Sequence, residues 1–372
     1  MARLAFIVCH LSGTGHLVRT LRLGAAAMAR GHEVLVISGG RALAHVDDLG
    51  VRVLDLPPLT VTGLDFSTLV TPDGLPADEA YRQERVAQIQ NHIAAFTPDV
   101  LITELFPLGR RMLAGEFLAA IEAADNALIL SSVRDIPEPK LKRLNEAADH
   151  LRRHFDGVLV HGDDRLVPLA ATWPLPEDLM RVIYHTGYVA PPPSVAGPRG
   201  KEILVATGGG NLGRFLVQVA IKAAALSPHP WRILVGGPDA AEISASAMVD
   251  HGSANLTVEP ARQDYPDLLA NAACSVSLCG YNTAVELAGL STPAILVPSE
   301  EGGEQEQLLR ASALAGHEGI DVIRERDLTP EVLTPAADAL TAGPRRPAIP
   351  LRTDQGEAAI ACIEALLKDR IP

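Results

Sequence analysis

The chain has 372 residues, 47% of them hydrophobic and 21% charged, a composition that excludes a disordered or fibrous chain and suits a globular protein of about two domains. A formal net charge of −13 excludes the overall basic footprint of a nucleic-acid binder and disfavours docking on acidic phospholipid surfaces. Four scattered cysteines (Cys9, Cys274, Cys279, Cys362) lack the C-x-x-C spacing of a zinc or disulfide framework, and no apolar run reaches the roughly 18 residues of a membrane span.

The N-terminal stretch Leu4–Cys9 is a continuous apolar run, as expected of a strand buried on both faces of a parallel sheet rather than of a secretory signal. With the cysteines read as reduced thiols, a cytoplasmic protein is expected. The loop His10-Leu11-Ser12-Gly13-Thr14-Gly15-His16 follows. A helix then runs to about Arg30 with Leu17, Leu21, Ala25 and Met28 at helical spacing, Gly31 stops it, and Glu33–Ile37 is a second strand. This β–Gly loop–α–β opening also suits a nicotinamide-binding domain. However, Val18 stands where the third glycine of G-x-G-x-x-G belongs, and Ser38-Gly39-Gly40 occupy the place of a ribose-binding acid.

Residues 51–57 read as a strand, followed by an irregular segment to about Ala80 and a helix over Ala80–Phe96. Strand Val100–Thr103 delivers Glu104 and the turn Phe106-Pro107-Leu108-Gly109 to its carboxyl end, the edge at which open α/β sheets bind ligands. Strand Ala127–Ser132 leads to Arg134, which is either an anion contact or one side of a bridge to Asp135 or Glu138. Strands Val158–Val160 and Ile183–Gly187 complete the first half. Residues 188–200 are a proline-rich linker, stiff and extended because of Pro191-Pro192-Pro193.

A second β–Gly loop–α–β unit begins after the linker: strand Glu202–Ala206, loop Thr207-Gly208-Gly209-Gly210-Asn211-Leu212-Gly213, helix Arg214–Leu226 and strand Arg232–Val235. Three successive glycines permit close backbone approach to a phosphate. Strand Asn255–Val258 and helix Asp264–Ala272 precede strand Ser275–Cys279, the turn at Gly280 and a helix start at Asn282/Thr283. That helix carries Glu286 and ends near Gly289. Thr283-x-x-Glu286 has the spacing of a capping box, so Glu286 is either a cap or a ligand-binding acid. Strand Ala294–Val297 and Pro298 open an acidic loop that ends in Glu304-Gln305-Glu306-Gln307. An edge strand Val322–Arg324, a helix Thr329–Thr341 and a final helix Gln355–Lys368 close the chain.

These motifs resemble those of the GT-B glycosyltransferases, above all the family of peptidoglycan N-acetylglucosaminyltransferases that make lipid II (glycosyltransferase family 28). Gly13-Thr14-Gly15-His16 is similar to that family's Gly-Thr-Gly-Gly-His, one glycine shorter. Gly209-Gly210-Asn211-Leu212-Gly213 is similar to its Gly-Gly-Ser-Gln-Gly. Glu286 matches its ribose-binding acid. Glu306-Gln307-Leu308-Leu309-Arg310-Ala311 matches its sugar-binding motif with Arg310 in place of Asn, and Glu304-Gln305 is a rival register.

The resemblance implies an α/β fold of two facing Rossmann-like domains with parallel sheets and an interdomain cleft. Residues 1–187 form the acceptor domain, 188–200 the linker and 201–354 the donor-nucleotide domain, while 355–372 are a helix packing back on the first. It implies an inverting, metal-independent transfer from a nucleotide sugar, UDP-linked, to an acceptor hydroxyl, with no cofactor beyond the donor. His16 is the implied general base. Gly209, Gly210, Asn211, Gly213, Gly280, Asn282, Thr283, Glu286, Glu306 and Gln307 are the implied donor residues. Gly13, Thr14, Gly15, Glu104 and Arg134 are the acceptor-side candidates. Retaining enzymes of this fold carry Glu-x7-Glu, and counting from Glu286 the second position is Ala294, which points to inversion. A nucleotide-sugar 2-epimerase of the same fold and a nucleotide-binding partner subunit without catalysis are the alternatives. A membrane-facing patch for a lipid acceptor is not evident in the sequence.

Overall fold

The computed structural model describes all residues except 12–13, 42–45, 62–67, 139–140, 196, 209–211, 252–253, 304 and 371–372. Gly13, Gly209, Gly210, Asn211 and Glu304, singled out above, lie outside the described residues. The chain divides into two compact units, Met1–Pro191 with Arg352–Pro372, and Pro192–Leu351.

In the first unit the elements run β1 (Arg3–Val8), α1 (Gly15–Ala29), β2 (Glu33–Ser38), β3 (Arg52–Asp55), a short antiparallel pair β4 (Thr60–Val61) and β5 (Leu69–Val70), α2 (Glu79–Phe96), β6 (Val100–Glu104), α3 (Ala114–Ala123), β7 (Leu128–Arg134), α4 (Leu144–His154), β8 (Gly157–His161), α5 (Glu177–Met180), β9 (Ile183–His185) and β10 (Tyr188–Val189). Strands β3-β2-β1-β6-β7-β8-β9 form a parallel sheet. The order reverses between β1 and β6, which pair from Leu4 opposite Val100 to Ile7 opposite Thr103. The inner strands are mostly apolar because both faces are covered by helices, with polar residues gathered at the carboxyl ends of β6, β7 and β8; one cluster surrounds Ile7, Ile37, Ile89 and Phe117 and another Phe6, Leu21, Val36 and Ile102. Helix α2 starts where Asp78 caps it, accepting from the Tyr81 amide at 2.9 Å.

In the second unit they run β11 (Ile203–Ala206), α6 (Arg214–Ala224), β12 (Trp231–Val235), α7 (Ala240–His251), β13 (Leu256–Pro260), α8 (Tyr265–Asn271), β14 (Cys274–Ser277), α9 (Tyr281–Gly289), β15 (Ala294–Leu296), α10 (Glu306–Leu314), β16 (Ile320–Val322) and α11 (Pro330–Ala342). Their parallel sheet has the order β13-β12-β11-β14-β15-β16, reversing between β11 and β14. Its core gathers Val205, Leu216, Trp231, Ile233, Val276 and Leu333.

The last residues return to the first unit. Strand β17 (Thr353–Asp354) pairs in parallel with β10, so the first two residues of the stretch read as linker are sheet. Gly187, at φ +80, lets the chain pass Arg352, whose carbonyl would stand 2.9 Å from any Cβ there. Helix α12 (Glu357–Arg370) buries Ala359, Ile360 and Ile363 in the cluster that holds Leu17, Leu21 and Leu23 of α1. Arg30 and His32 both hydrogen-bond Glu364, each at 3.0 Å.

Inside the first unit Arg85, 0% exposed, grips the buried Glu116 with two bonds of 2.8 and 2.7 Å and also reaches the Gly39 carbonyl. Removing one partner of such a pair leaves a buried charge uncompensated. Glu116→Ala is therefore expected to cost about 3–5 kcal/mol in denaturant unfolding. Glu146→Ala, which breaks the exposed pair with Arg143, is expected to cost less than about 1 kcal/mol.

Candidate active site

In the first unit, β1 and β6 lie side by side, and their carboxyl ends bring together residues far apart in the chain. Glu104 is the last residue of β6 and is buried. His16 is in the first turn of α1, and its Nδ1 lies 2.8 Å from Glu104 Oε1. Arg19, three residues along the same helix face, binds the same oxygen. The second carboxylate oxygen accepts from Ser132 Oγ at 2.7 Å, because Ser132 stands opposite Glu104 in the β6–β7 register.

The protons in this network can be assigned. Ser132 donates its hydroxyl hydrogen to Glu104, so it accepts from His161 Nε2 at 3.0 Å; His161 Nδ1 in turn accepts from Thr186 Oγ at 2.9 Å. Each donor thus points toward the carboxylate. His16 Nδ1 also lies 3.2 Å from Arg19, but a guanidinium has no lone pair to offer, and a bare Nδ1 facing a carboxylate would be repelled. The proton therefore sits on Nδ1 and is donated to Glu104. That leaves Nε2 as a lone pair, with no hydrogen-bond partner among the described residues.

Burial is the largest single influence on all three groups, and it sets the direction for the two histidines. It pushes His16 down, against the pull of Glu104, and pushes His161 down to about 3. For Glu104 burial acts upward, but Arg19, His16 and Ser132 outweigh it and bring the carboxyl down to about 2. The resting state is a carboxylate between a guanidinium and two neutral imidazoles.

Other acceptor-side candidates fall around this network. Thr14 caps no amide of α1 with its side chain, and Gly15 is exposed with open space where a Cβ would stand. Arg134 ends β7, half-buried. The sequence reading missed Arg19, Ser132 and His161. Each lies at a strand end or one helical turn from a residue that was chosen. Arg110 was missed as well; its Nε donates to the Cys9 carbonyl at 2.9 Å.

In the second unit, α6 and α9 start at the reversal between β11 and β14. Gly213 precedes α6 at φ +81, a left-handed conformation suited to glycine, with the Thr207 and Leu278 side chains close to where a Cβ would project. Helix α9 begins at Tyr281 with Gly280 as its extended N-cap and no side-chain cap. The Thr283-x-x-Glu286 spacing is therefore not a capping box: Thr283 is inside the helix, and Glu286, half-buried, is one turn further on. Asn282 is exposed in the first turn. The Tyr265 side chain is close to Thr283 and Glu286; burial and the Glu286 charge raise its pKa, and a hydrogen bond to Thr283 acts the other way.

Glu306 and Gln307 belong to the first turn of α10 rather than to a loop, since Glu-Gln-Leu-Leu-Arg-Ala is a run of strong helix formers with an acid at the N-terminus. Gln307 Oε1 accepts from the amides of Cys279 (3.0 Å) and Ser299 (3.2 Å), which tethers the ends of β14 and β15. Two N–H donors on one atom identify it as the oxygen. The Gln307 amide N–H groups have no hydrogen-bond partner among the described residues. Arg310, 0% exposed, donates to Glu306 at 2.7 Å and to the Cys279 carbonyl at 2.6 Å, which turns Glu306 inward.

With this geometry in place, residues 203–359 match the glycosyltransferase family 28 C-terminal domain. The chain is 34% identical over 163 residues to the UDP-N-acetylglucosamine--N-acetylmuramyl-(pentapeptide) pyrophosphoryl-undecaprenol N-acetylglucosamine transferase of Rhodopseudomonas palustris (strain BisA53), covering 42% of this chain and 43% of that protein. It is 33% identical over 154 residues to the protein of the same description from Methylobacterium sp. (strain 4-46), covering 40% and 41%. The match thus spans less than half the length of these relatives. The solved structure of Acinetobacter baumannii MurG superposes with a TM-score of 0.64 at 15% identity, covering 98% of this chain and 100% of that one. The calicheamicin glycosyltransferase CalG4 gives 0.64 at 17%, covering 100% and 99%. The fold is accordingly α/β of the GT-B type, two Rossmann-like units with parallel sheets. Among the described residues no helix is long and apolar enough to cross a membrane.

The buried imidazoles predict an acid limit. His161 titrates at about 3 folded against 6.5 for the free side chain, so the unfolded chain binds more protons in between. Its contribution to stability is complete above 6.5 and is lost as pH falls towards 3; His16 adds in the same direction. Unfolding free energy measured against pH is expected to fall across that window, and His161→Gln, which carries no titrating ring, is expected to flatten the slope.

Proposed function

We propose that the protein is an inverting, metal-independent glycosyltransferase that moves a sugar from a nucleotide donor, UDP-linked, to the hydroxyl of an acceptor. One observation carries the reading: His16 has its Nδ1 proton held by a buried carboxylate and its Nε2 lone pair open, in a chain whose residues 203–359 match the family 28 C-terminal domain. In this reading His16 is the general base, taking the acceptor proton on Nε2.

In the proposed step the acceptor oxygen attacks the anomeric carbon as its proton passes to His16 Nε2. A bond forms from that oxygen to the carbon. The bond from the carbon to the donor phosphate breaks, and its electron pair leaves with the nucleoside diphosphate. One displacement inverts the anomeric centre. Glu104 stabilises the imidazolium as it forms, and Arg19, Ser132 and His161 keep Glu104 ionised and oriented.

On the donor side the amides that open α6 and α9, with Asn282 and Thr283, take the diphosphate, whose growing negative charge suits a helix N-terminus. Glu286 holds the ribose hydroxyls. Gln307 offers its amide N–H groups to the sugar, an orientation set by its anchored oxygen, while Glu306 borders the same subsite with its charge offset by Arg310. The loop residues Gly209, Gly210 and Asn211 complete the diphosphate contact in this reading.

UDP at a hundred times its dissociation constant is expected to stabilise the protein by about 2.7 kcal/mol without magnesium. A thermal shift with NAD and none with UDP overturns the reading. His16→Ala is expected to lower transfer, or donor hydrolysis as its proxy, by about 10²–10⁴-fold, with UDP binding unchanged because donor contacts are assigned to the other unit. Glu286→Gln should do the converse, weakening UDP while the fold keeps its stability, since Glu286 closes no capping box.

A further inference from the structure

Beside the His16–Glu104 pair stands a cation that the mechanism above does not use. Arg110 follows the turn after β6 and holds a left-handed backbone at φ +54, as does Leu105 at φ +68. A side chain with a Cβ pays roughly 1–2 kcal/mol for that conformation, and such strain clusters where a residue is held for function. The Arg110 guanidinium spends only Nε, on the Cys9 carbonyl at 2.9 Å; among the described residues its two terminal NH2 groups have no hydrogen-bond partner and no carboxylate at ion-pair distance. Cys9, His10, His16, Glu104 and Arg134 are the groups close enough to sense its charge. Burial lowers its pKa, and Arg134 acts in the same direction while Cys9 and Glu104 oppose it.

The charges here do not cancel. Arg19 and Glu104 neutralise one another at contact, and His16 and His161 are neutral, so among the described residues no carboxylate pairs with the Arg110 charge, in a protein whose net charge is −13. A half-buried guanidinium with its Nε anchored and its terminal fork open is the geometry that receives a carboxylate with two parallel N–H bonds. We infer that the acceptor is a hydroxy acid, its carboxylate seated on the Arg110 fork and its hydroxyl reaching His16 Nε2. A single negative charge matches the Arg110 charge, whereas a phosphate or diphosphate brings two or more against Glu104. The inference rests on the glycosyltransfer reading for what happens to the hydroxyl, but the carboxylate seat stands independently of it.

The test uses the full chain with UDP saturating, so that an anion does not report on the second unit. Lactate, propane-1,2-diol, inorganic phosphate and pyrophosphate are titrated into wild type, Arg110→Gly and Arg110→Lys, and followed through the His16 ring resonances. Glycine relieves the left-handed strain while removing the guanidinium, and lysine keeps the charge without the fork. Lactate is expected to bind wild type about tenfold or more tightly than propanediol does. That preference should vanish in Arg110→Gly and weaken in Arg110→Lys. Absence of lactate binding to wild type, lactate binding that survives in both variants, or an Arg110-dependent preference for pyrophosphate over lactate overturns the inference. If UDP itself does not bind, the glycosyltransfer reading falls, and an Arg110-dependent lactate preference still supports the carboxylate seat.

Discussion

Glu104 carries a negative charge at the buried end of a central strand, and the first unit's site is arranged around keeping it there. A carboxylate out of water is costly unless both oxygens are hydrogen-bonded and a cation is near. Arg19 supplies the cation; His16, Arg19 and Ser132 supply the bonds. Two further bonds, from His161 to Ser132 and from Thr186 to His161, fix the hydroxyl hydrogen that Glu104 receives. The consequence for chemistry is tautomeric. His16 gives its proton to the carboxylate and is left with a basic nitrogen on the other side of the ring.

The second unit solves a different problem with the same kind of sheet. Its reversal point presents two helix starts rather than an acid and a base, and neither start is capped by a side chain. The side chains nearby are held by backbone: the oxygen of Gln307 by two amides, and Arg310 by the Cys279 carbonyl. Such anchoring leaves donors aimed outward at little conformational cost, which is how a site is organised before its ligand arrives.

Much of this was legible in the sequence, because a parallel strand buried on both faces is a continuous apolar run and a Gly-rich turn follows it. That pattern occurs twice, and His16, Glu104 and Gly213 do stand at strand or helix ends, with Glu286 inside α9. The pairing of His16 with Glu104 was not legible. They are 88 residues apart, and only the adjacency of β1 and β6 joins them. Ser132 and His161 were hidden for the same reason, since register across β6, β7 and β8 is a property of the sheet. The helix start at Asn282/Thr283 was misplaced because Thr-x-x-Glu imitates a capping box, while the extended backbone of Gly280 begins the helix two residues earlier. Glu306 and Gln307 were read as loop because acids and glycines surround them, yet the helix takes them into its first turn.

The central claim is that Glu104 fixes His16 as a neutral base with an open Nε2. Nitrogen-15 NMR of the imidazole rings in the ligand-free protein at neutral pH tests it directly. The account predicts His16 neutral, with Nδ1 protonated and Nε2 bare, and loss of that preference in Glu104→Gln. A His16 ring protonated on Nε2 at neutral pH, or a tautomer indifferent to Glu104, would contradict it.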